Sequence, residues 1–272
     1  MKLATIRTEA GTTAVRLDGD TAVELDAADV GEVIRRGDGW QSWAAAQPGT
    51  SHDLADVTYE QLLIQPGRVL CQGLNYRNHI EEVGMEIPTY PTLFAKYGSS
   101  LTGPTDDIVL PPESEQCDWE AELTVVIGNG GRRIAVEDAE SHIAGYTIMN
   151  DFSMRDWQMR GLQWLQGKSW DDSTPLGPWL VTPDESPGPN RRLTLTIDGE
   201  TMQDADTADL VFGPAELISY ISTFMALQPG DIIATGTPGG IGLARGRFLK
   251  AGEVMVTTIE GLGECRNTMV TG

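Results

Sequence analysis

The sequence predicts a mainly β fold with some helix, of the α+β class: a mixed β-sandwich or roll with a small α+β appendage at its N-terminus. Three observations carry that expectation. From Arg68 onward, short apolar runs separated by Gly and Pro follow one another, among them RVLCQG, TLFAKY, DIVLP, ELTVVIG, HIAGYTIMN, LTLTIDG, DIIATG and EVMVTTI. Only one stretch has the periodicity of an amphipathic helix. The runs therefore do not alternate with helices, as a doubly wound parallel sheet requires.

Taken in order, KLATIRT, TTAVRL and TAVEL alternate like short strands, with Asp18-Gly19 as turn chemistry between the second and third. Helical stretches follow near Asp29 to Arg36 and Gly39 to Ala46, the second stopped by Pro48-Gly49. YEQLLIQPG closes an appendage over residues 1–66, leaving 67–272 for the main domain. There, PAELISYISTFMAL brings Leu217, Ile218, Ile221, Phe224 and Met225 to helical spacing, with Pro214 suited to the first turn. That stripe serves packing.

A chain of 272 residues with 40% hydrophobic content can bury a sizeable core. No run approaches the roughly 18 apolar residues of a membrane span, and MKLATIRTEAG lacks the apolar centre and cleavage site of a secretory signal, so a soluble, cytoplasmic protein with no membrane association is expected. Cys71, Cys117 and Cys265 are far apart and in no C-x-x-C spacing, which suggests neither disulfides nor structural zinc. A net charge of -21 argues against a nucleic-acid partner, since phosphate backbones need a basic stripe. Solubility explains most of that charge, and gathered metal ligands could explain a small part. There is no G-x-S-x-G, no H-E-x-x-H and no G-x-G-x-x-G opening a helix after a strand.

In the strand-like segment DWEAELTVVI, Glu120 and Glu122 are two apart and share a face. Like charges side by side need open solvent or a cation. Asp151, at the end of IAGYTIMND, offers a third carboxylate, and three such oxygens suit magnesium or manganese, with calcium also admissible. From spacing alone, the pair reads equally as the solvated face of an edge strand.

Of three histidines, His79 is the one to single out. Asn75 could cap a short helix placing His79 and Glu82 three apart on one face, where a carboxylate orients the imidazole as a general base requires. An incidental surface pair is the plainer alternative, and His52 and His142 receive only that kind of reading. Lys168, among aromatic residues and ahead of Pro175-Leu176-Gly177-Pro178, could meet a substrate carboxylate or a developing enolate; Lys96 is a second candidate. The glycine-rich Thr235 to Gly242 follows a strand-like run, is no phosphate loop, and could meet a carboxylate through its amides and hydroxyls.

In this order along the chain, GLNYRNHIEE, LFAKYGSSLTGP, DIVLP, DWEAELTVVIG, YTIMNDFSMRDWQ, GKSWDDSTPLGPWLVT and ATGTPGGIG together resemble the fumarylacetoacetate hydrolase family, from about Arg68 to the C-terminus. The resemblance implies a core in the mixed β-sandwich roll of that family's C-terminal type and a homodimer. It implies magnesium or manganese on Glu120, Glu122 and Asp151, and catalytic roles for His79, Glu82 and Lys168, with His79 and Glu82 on a short lid helix. Substrate contacts fall on Tyr76, Gln163, Gly236 and Thr237. Leu74 stands where some decarboxylating members carry Arg, and the second carboxylate of Asp171-Asp172 is unusual.

The activity this implies is hydrolysis of a carbon-carbon bond in a small 2-oxo or diketo acid, of acylpyruvate or fumarylpyruvate type, through an enolate held at the metal. Decarboxylation, or isomerisation and tautomerisation of a dicarboxylic 2-oxo acid, is the alternative. A non-catalytic binding protein is the remaining one.

Overall fold

A computed structural model describing residues 1–185 and 190–272 gathers the strands into a 12-stranded sheet, a 5-stranded sheet and a two-stranded pair. The spine of the large sheet runs Ser51–Asp53, Thr21–Glu24, Gly11–Asp18, Lys2–Thr8, Thr174–Val181, Ile143–Asn150, Ala121–Ile127, Ile232–Ala234, Val69–Gly73 and Thr92–Lys96. Neighbours along it are antiparallel except Ile232–Ala234 and Val69–Gly73, which run parallel, so the sheet is mixed and the α+β expectation is met.

The N-terminal strands form a meander, and Lys2–Thr8 pairs with Thr174–Val181 through Leu3 opposite Leu180, which makes residues 1–66 an extension of the large sheet. The helix Val30–Arg35 starts where Asp29 accepts from the Glu32 N–H at 2.6 Å, a side-chain N-cap. Its Val30, Val33 and Ile34 share one buried cluster with Leu3, Val69, Val126, Met149 and Leu176. Among the described residues no helix is long and apolar enough to cross a membrane.

The small sheet, Glu200–Asp206, Arg192–Ile197, Val254–Ile259, Gly263–Thr271 and Ile108–Leu110, packs face to face on the large one. Leu193, Leu195 and Ile197, two apart and therefore on one face, meet Leu123, Ile148 and Val181 in a second core. Farther along the same face of the large sheet lies the helix Pro214–Phe224, whose Leu217, Ile218 and Ile221 bury against Val125, Ile127 and Ile233, while the alternate residues Val126, Met149 and Ile232 turn to the other face and its Val30–Arg35 cluster. Each of these helix side chains contributes roughly 1.5–3 kcal/mol on full burial. Phe224 departs from the expected stripe: it is 51% exposed and meets Tyr220 edge to face, because the helix ends there and Met225 turns extended.

Candidate active site

The strands Ala121–Ile127 and Ile143–Asn150 run antiparallel with Ala121 opposite Asn150, so the residues just beyond that pair, Glu120 and Asp151, face one another. The Asp151 N–H donates to the Glu120 carbonyl at 2.8 Å. Glu122 lies two residues on, on the same face. One carboxylate oxygen from each of the three lies within 4.8 Å of the others, a set that could hold a metal ion. Ala121–Ile127 is paired on both sides, and Glu120, Glu122 and Asp151 are all buried, so the alternative of a solvated edge strand is removed.

Four further groups set the electrostatics. Lys168 donates to Glu120 Oε2 at 2.9 Å and to Asp151 Oδ2 at 2.8 Å, and Lys96 donates to Asp151 Oδ1 at 2.7 Å. Arg155 pairs with Asp118 at 2.7 Å and with Glu120 Oε1 at 2.6 Å. Burial alone would raise the Glu120 carboxyl, but Lys168 and Arg155 outweigh it and hold the group down at about 2. Burial likewise opposes the charge of Lys168, and Asp151 and Glu120 overcome it, so the ammonium is retained. Glu122 goes the other way: burial first, then the charges of Asp151 and Glu120, raise its carboxyl well above the ordinary value. Among the described residues, no Lys or Arg lies within ion-pair distance of Glu122.

What Glu122 does have is the glycine loop. After Ile232–Ala234 the chain passes beside Leu123, and the Gly236 N–H donates to Glu122 Oε2 at 2.8 Å. Gly236 has φ +98°, and a Cβ there would stand 2.9 Å from the Asn75 Cβ. Thr237 opens on the cavity and accepts from Gln203 at 2.8 Å. Asn75 is no helix cap. Its amide donates to the Phe212 and Thr235 carbonyls and accepts from the Phe212 N–H, because three backbone groups of crossing loops converge there. The helix Arg77–Glu82 begins instead at Tyr76, in extended conformation and without a side-chain cap. Tyr76 is wholly buried, lies off the cavity wall, and its hydroxyl has no partner; burial and the Glu122 charge push its ionisation up.

On that helix His79 Nδ1 lies 3.3 Å from Glu82, and both Glu82 oxygens accept from the Gly240 N–H at 2.9 and 3.1 Å. His79, Thr237, Glu120, Lys168 and Arg155 line one cavity of about 350 Å³. Its remaining wall is largely apolar: Leu74, Val83, Met85, Phe94, Met159, Trp164, Ile241 and Leu243. Leu74, with φ +56°, holds a left-handed backbone unusual for a branched residue.

Gln163 is exposed and off the cavity wall, since it sits in a turn between two short helices; Gln158, buried and bonded to Arg155 at 2.9 Å, lines the cavity instead. Arg155, Gln158 and Asp118 are the site residues that sequence reasoning missed. A signal was available: Arg155 and Gln158 lie three apart on the helix Arg155–Gln158 just after Asp151, within YTIMNDFSMRDWQ. Asp171 and Asp172 are exposed and away from the cavity. His52 pairs with Glu24, and His142 bonds the Asn129 carbonyl, so neither has a place at the site.

Residues 68–270 match the model of the fumarylacetoacetate hydrolase C-terminal domain. The chain belongs to the fumarylacetoacetate hydrolase family. Among its relatives is the mitochondrial oxaloacetate tautomerase FAHD2A of Bos taurus, 45% identical over 221 residues, covering 79% of this chain and 70% of that one. A solved fumarylacetoacetate hydrolase from Exiguobacterium antarcticum superposes with a TM-score of 0.90 at 30% identity, covering both chains fully. The 2-hydroxyhepta-2,4-diene-1,7-dioate isomerase of Mycobacterium marinum does so with 0.82 at 30% identity, covering 100% of this chain and 98% of that one. This fumarylacetoacetate hydrolase family member is an enzyme, and its mixed-sheet α+β fold is the family's.

Proposed function

We propose that this enzyme interconverts the enol and keto forms of a small dicarboxylic 2-oxo acid of the oxaloacetate class, with magnesium or manganese held by Glu120, Glu122 and Asp151. The observation that carries this reading is the convergence, on one cavity, of a fixed His79–Glu82 pair with the cation-flanked carboxylate Glu120. Kinship with a named oxaloacetate tautomerase favours it over carbon-carbon hydrolysis, the activity expected first from the sequence.

The residues fit a divalent cation. Three hard carboxylate oxygens converge, and Glu122, buried without a cationic partner, needs either a proton or a metal to offset its charge. When bound, the cation would supply Lewis-acid polarisation of the substrate's 2-oxo group. Lys168, already charged and on the cavity wall, stabilises negative charge developing on that oxygen. Arg155 and Thr237 present donors to a substrate carboxylate. The proton that leaves the enol oxygen and arrives at C3 needs a carrier, and His79 is the imidazole on this wall. Glu82 takes its Nδ1 side, which leaves Nε2 for the proton.

A second reading, hydrolysis of an acylpyruvate, is favoured by the apolar wall of Val83, Met85, Phe94 and Trp164, which suits an uncharged tail. In that case His79 would deprotonate water. The two are separated by following enol-oxaloacetate absorbance and acylpyruvate cleavage with the same enzyme preparation. Acceleration of the first with little of the second supports tautomerisation; the reverse transfers the site to hydrolysis. A homodimer and cytoplasmic residence belong to the same proposal, the former tested by light scattering in solution.

A further inference from the structure

Each carboxylate of the acidic triad has at least one oxygen facing a protein donor that is not Lys168. Glu122 Oε2 accepts from the Gly236 N–H at 2.8 Å, Glu120 Oε1 faces Arg155 at 2.6 Å, and Asp151 Oδ1 accepts from Lys96 at 2.7 Å. The last is the most constrained. Lys96 has no exposed side-chain surface, lies off the cavity wall, and its ammonium also donates to the Phe152 carbonyl at 3.1 Å. It is tethered at two points one residue apart in the chain, so it cannot swing away from Asp151 without leaving a buried charge unpaired. Lys168, by contrast, donates to Asp151 Oδ2 and Glu120 Oε2 and stands on the wall of the cavity.

We propose that Lys96 is a positioning residue that restricts Asp151 to a single ligand oxygen and thereby biases the site toward small octahedral cations and against calcium. Calcium takes 6–8 oxygens and commonly draws both oxygens of a carboxylate, whereas magnesium and manganese are satisfied by one from each ligand plus water or substrate. With Oδ1 held by the enclosed Lys96, the oxygen left for a cation is Oδ2, whose present partner, Lys168 at 2.8 Å, stands on the cavity wall and would have to yield it. This inference rests on the metal reading proposed above and adds to it the residue that sets the choice of ion.

The test is the ratio of Mn²⁺ to Ca²⁺ affinity, measured by titration calorimetry with each metal alone on the full chain stripped of metal. A ratio is the right readout, because removing a lysine changes the local charge equally for two divalent ions and that contribution cancels. The wild type is expected to prefer Mn²⁺, and Lys96→Met to narrow that preference by roughly tenfold or more, the scale of an outer-shell change. Lys168→Met deletes the same charge without freeing Asp151 Oδ1 and should leave the ratio where it was.

An unchanged ratio in Lys96→Met, or an equal shift in Lys168→Met, overturns the role of Lys96 while leaving the metal site standing. A wild type that binds neither ion removes the metal reading and this inference together. Should Lys96→Met fail to fold, crystals of the wild type soaked separately in Mn²⁺ and Ca²⁺ decide the matter. One Asp151 oxygen on the ion, with Lys96 still on Oδ1, supports the proposal; two Asp151 oxygens on Mn²⁺ contradict it.

Discussion

Nδ1 of His79 lies 3.3 Å from a Glu82 oxygen, and the Gly240 N–H ties down both oxygens of that carboxylate, so the imidazole rests on a group that is itself fixed. If His79 carries the proton, His79→Gln should lower kcat by about 10²–10⁴-fold with little change in KM. Glu82→Gln keeps a ring partner but removes its charge, and about tenfold is expected. Steady-state kinetics on both variants checks this; a rise in KM at constant kcat would make His79 a binding group only.

Gly236 makes a second demand on its position. A Cβ would meet the Asn75 Cβ at 2.9 Å and the Gln72 carbonyl at 3.0 Å, in a backbone conformation that L side chains rarely adopt. Gly236→Ala should therefore destabilise the fold by about 1–3 kcal/mol and displace the N–H that holds Glu122. Urea unfolding reads the first effect, and Mn²⁺ titration the second.

Stability against pH should show two opposed contributions. The folded Glu120 carboxyl is held near about 2, below its ordinary 4.5, so its contribution is complete above the unfolded value and is lost as pH falls toward 2. The folded Glu122 carboxyl is raised, so the folded state keeps a proton that the unfolded chain has released, and stability falls as pH rises above 4.5. In metal-free buffer, Glu122→Gln should flatten the neutral side of the profile, and Glu120→Gln the acid side. Thermal melts from about pH 3 to pH 8 test both; a Glu122→Gln profile as steep as the wild type's near neutrality would contradict the assignment.

Asp118 is wholly buried and binds Arg155 Nε at 2.7 Å together with the backbone N–H groups of Trp119, Gly242 and Leu243. Asp118→Ala leaves Arg155 without its strongest partner and should cost about 3–5 kcal/mol. Denaturant midpoints measure the loss, and a change under about 1 kcal/mol would mean that Arg155 finds another anchor.

The legible parts of this site were those whose spacing is local. Glu120 and Glu122 share a strand face by the period of two, and His79 and Glu82 share a helix face by the period of three. Burial was not legible, because an E-x-E pair has the same spacing on a central strand as on an edge. Nor was the cage of Lys96, Arg155 and Asp118, which register and crossing loops assemble from segments 37 to 55 residues apart. Asn75 looked like a helix cap because Asn favours that place, yet its amide is taken up by Phe212 and Thr235, far along the chain. The placing of the glutamine on Gln163 in place of Gln158 has the same origin: both lie in one segment, and only the fold decides which turns inward.

Metal stoichiometry and turnover measured together on wild type and Asp151→Asn test the central claim most directly. Wild type should hold about one Mn²⁺ or Mg²⁺ per chain, lose enol-keto turnover on exhaustive chelation and regain it on adding the ion back, while Asp151→Asn should lose both binding and turnover. Undiminished turnover by wild type in metal-free buffer, or a fully metallated and active Asp151→Asn, would contradict a metal held by Glu120, Glu122 and Asp151.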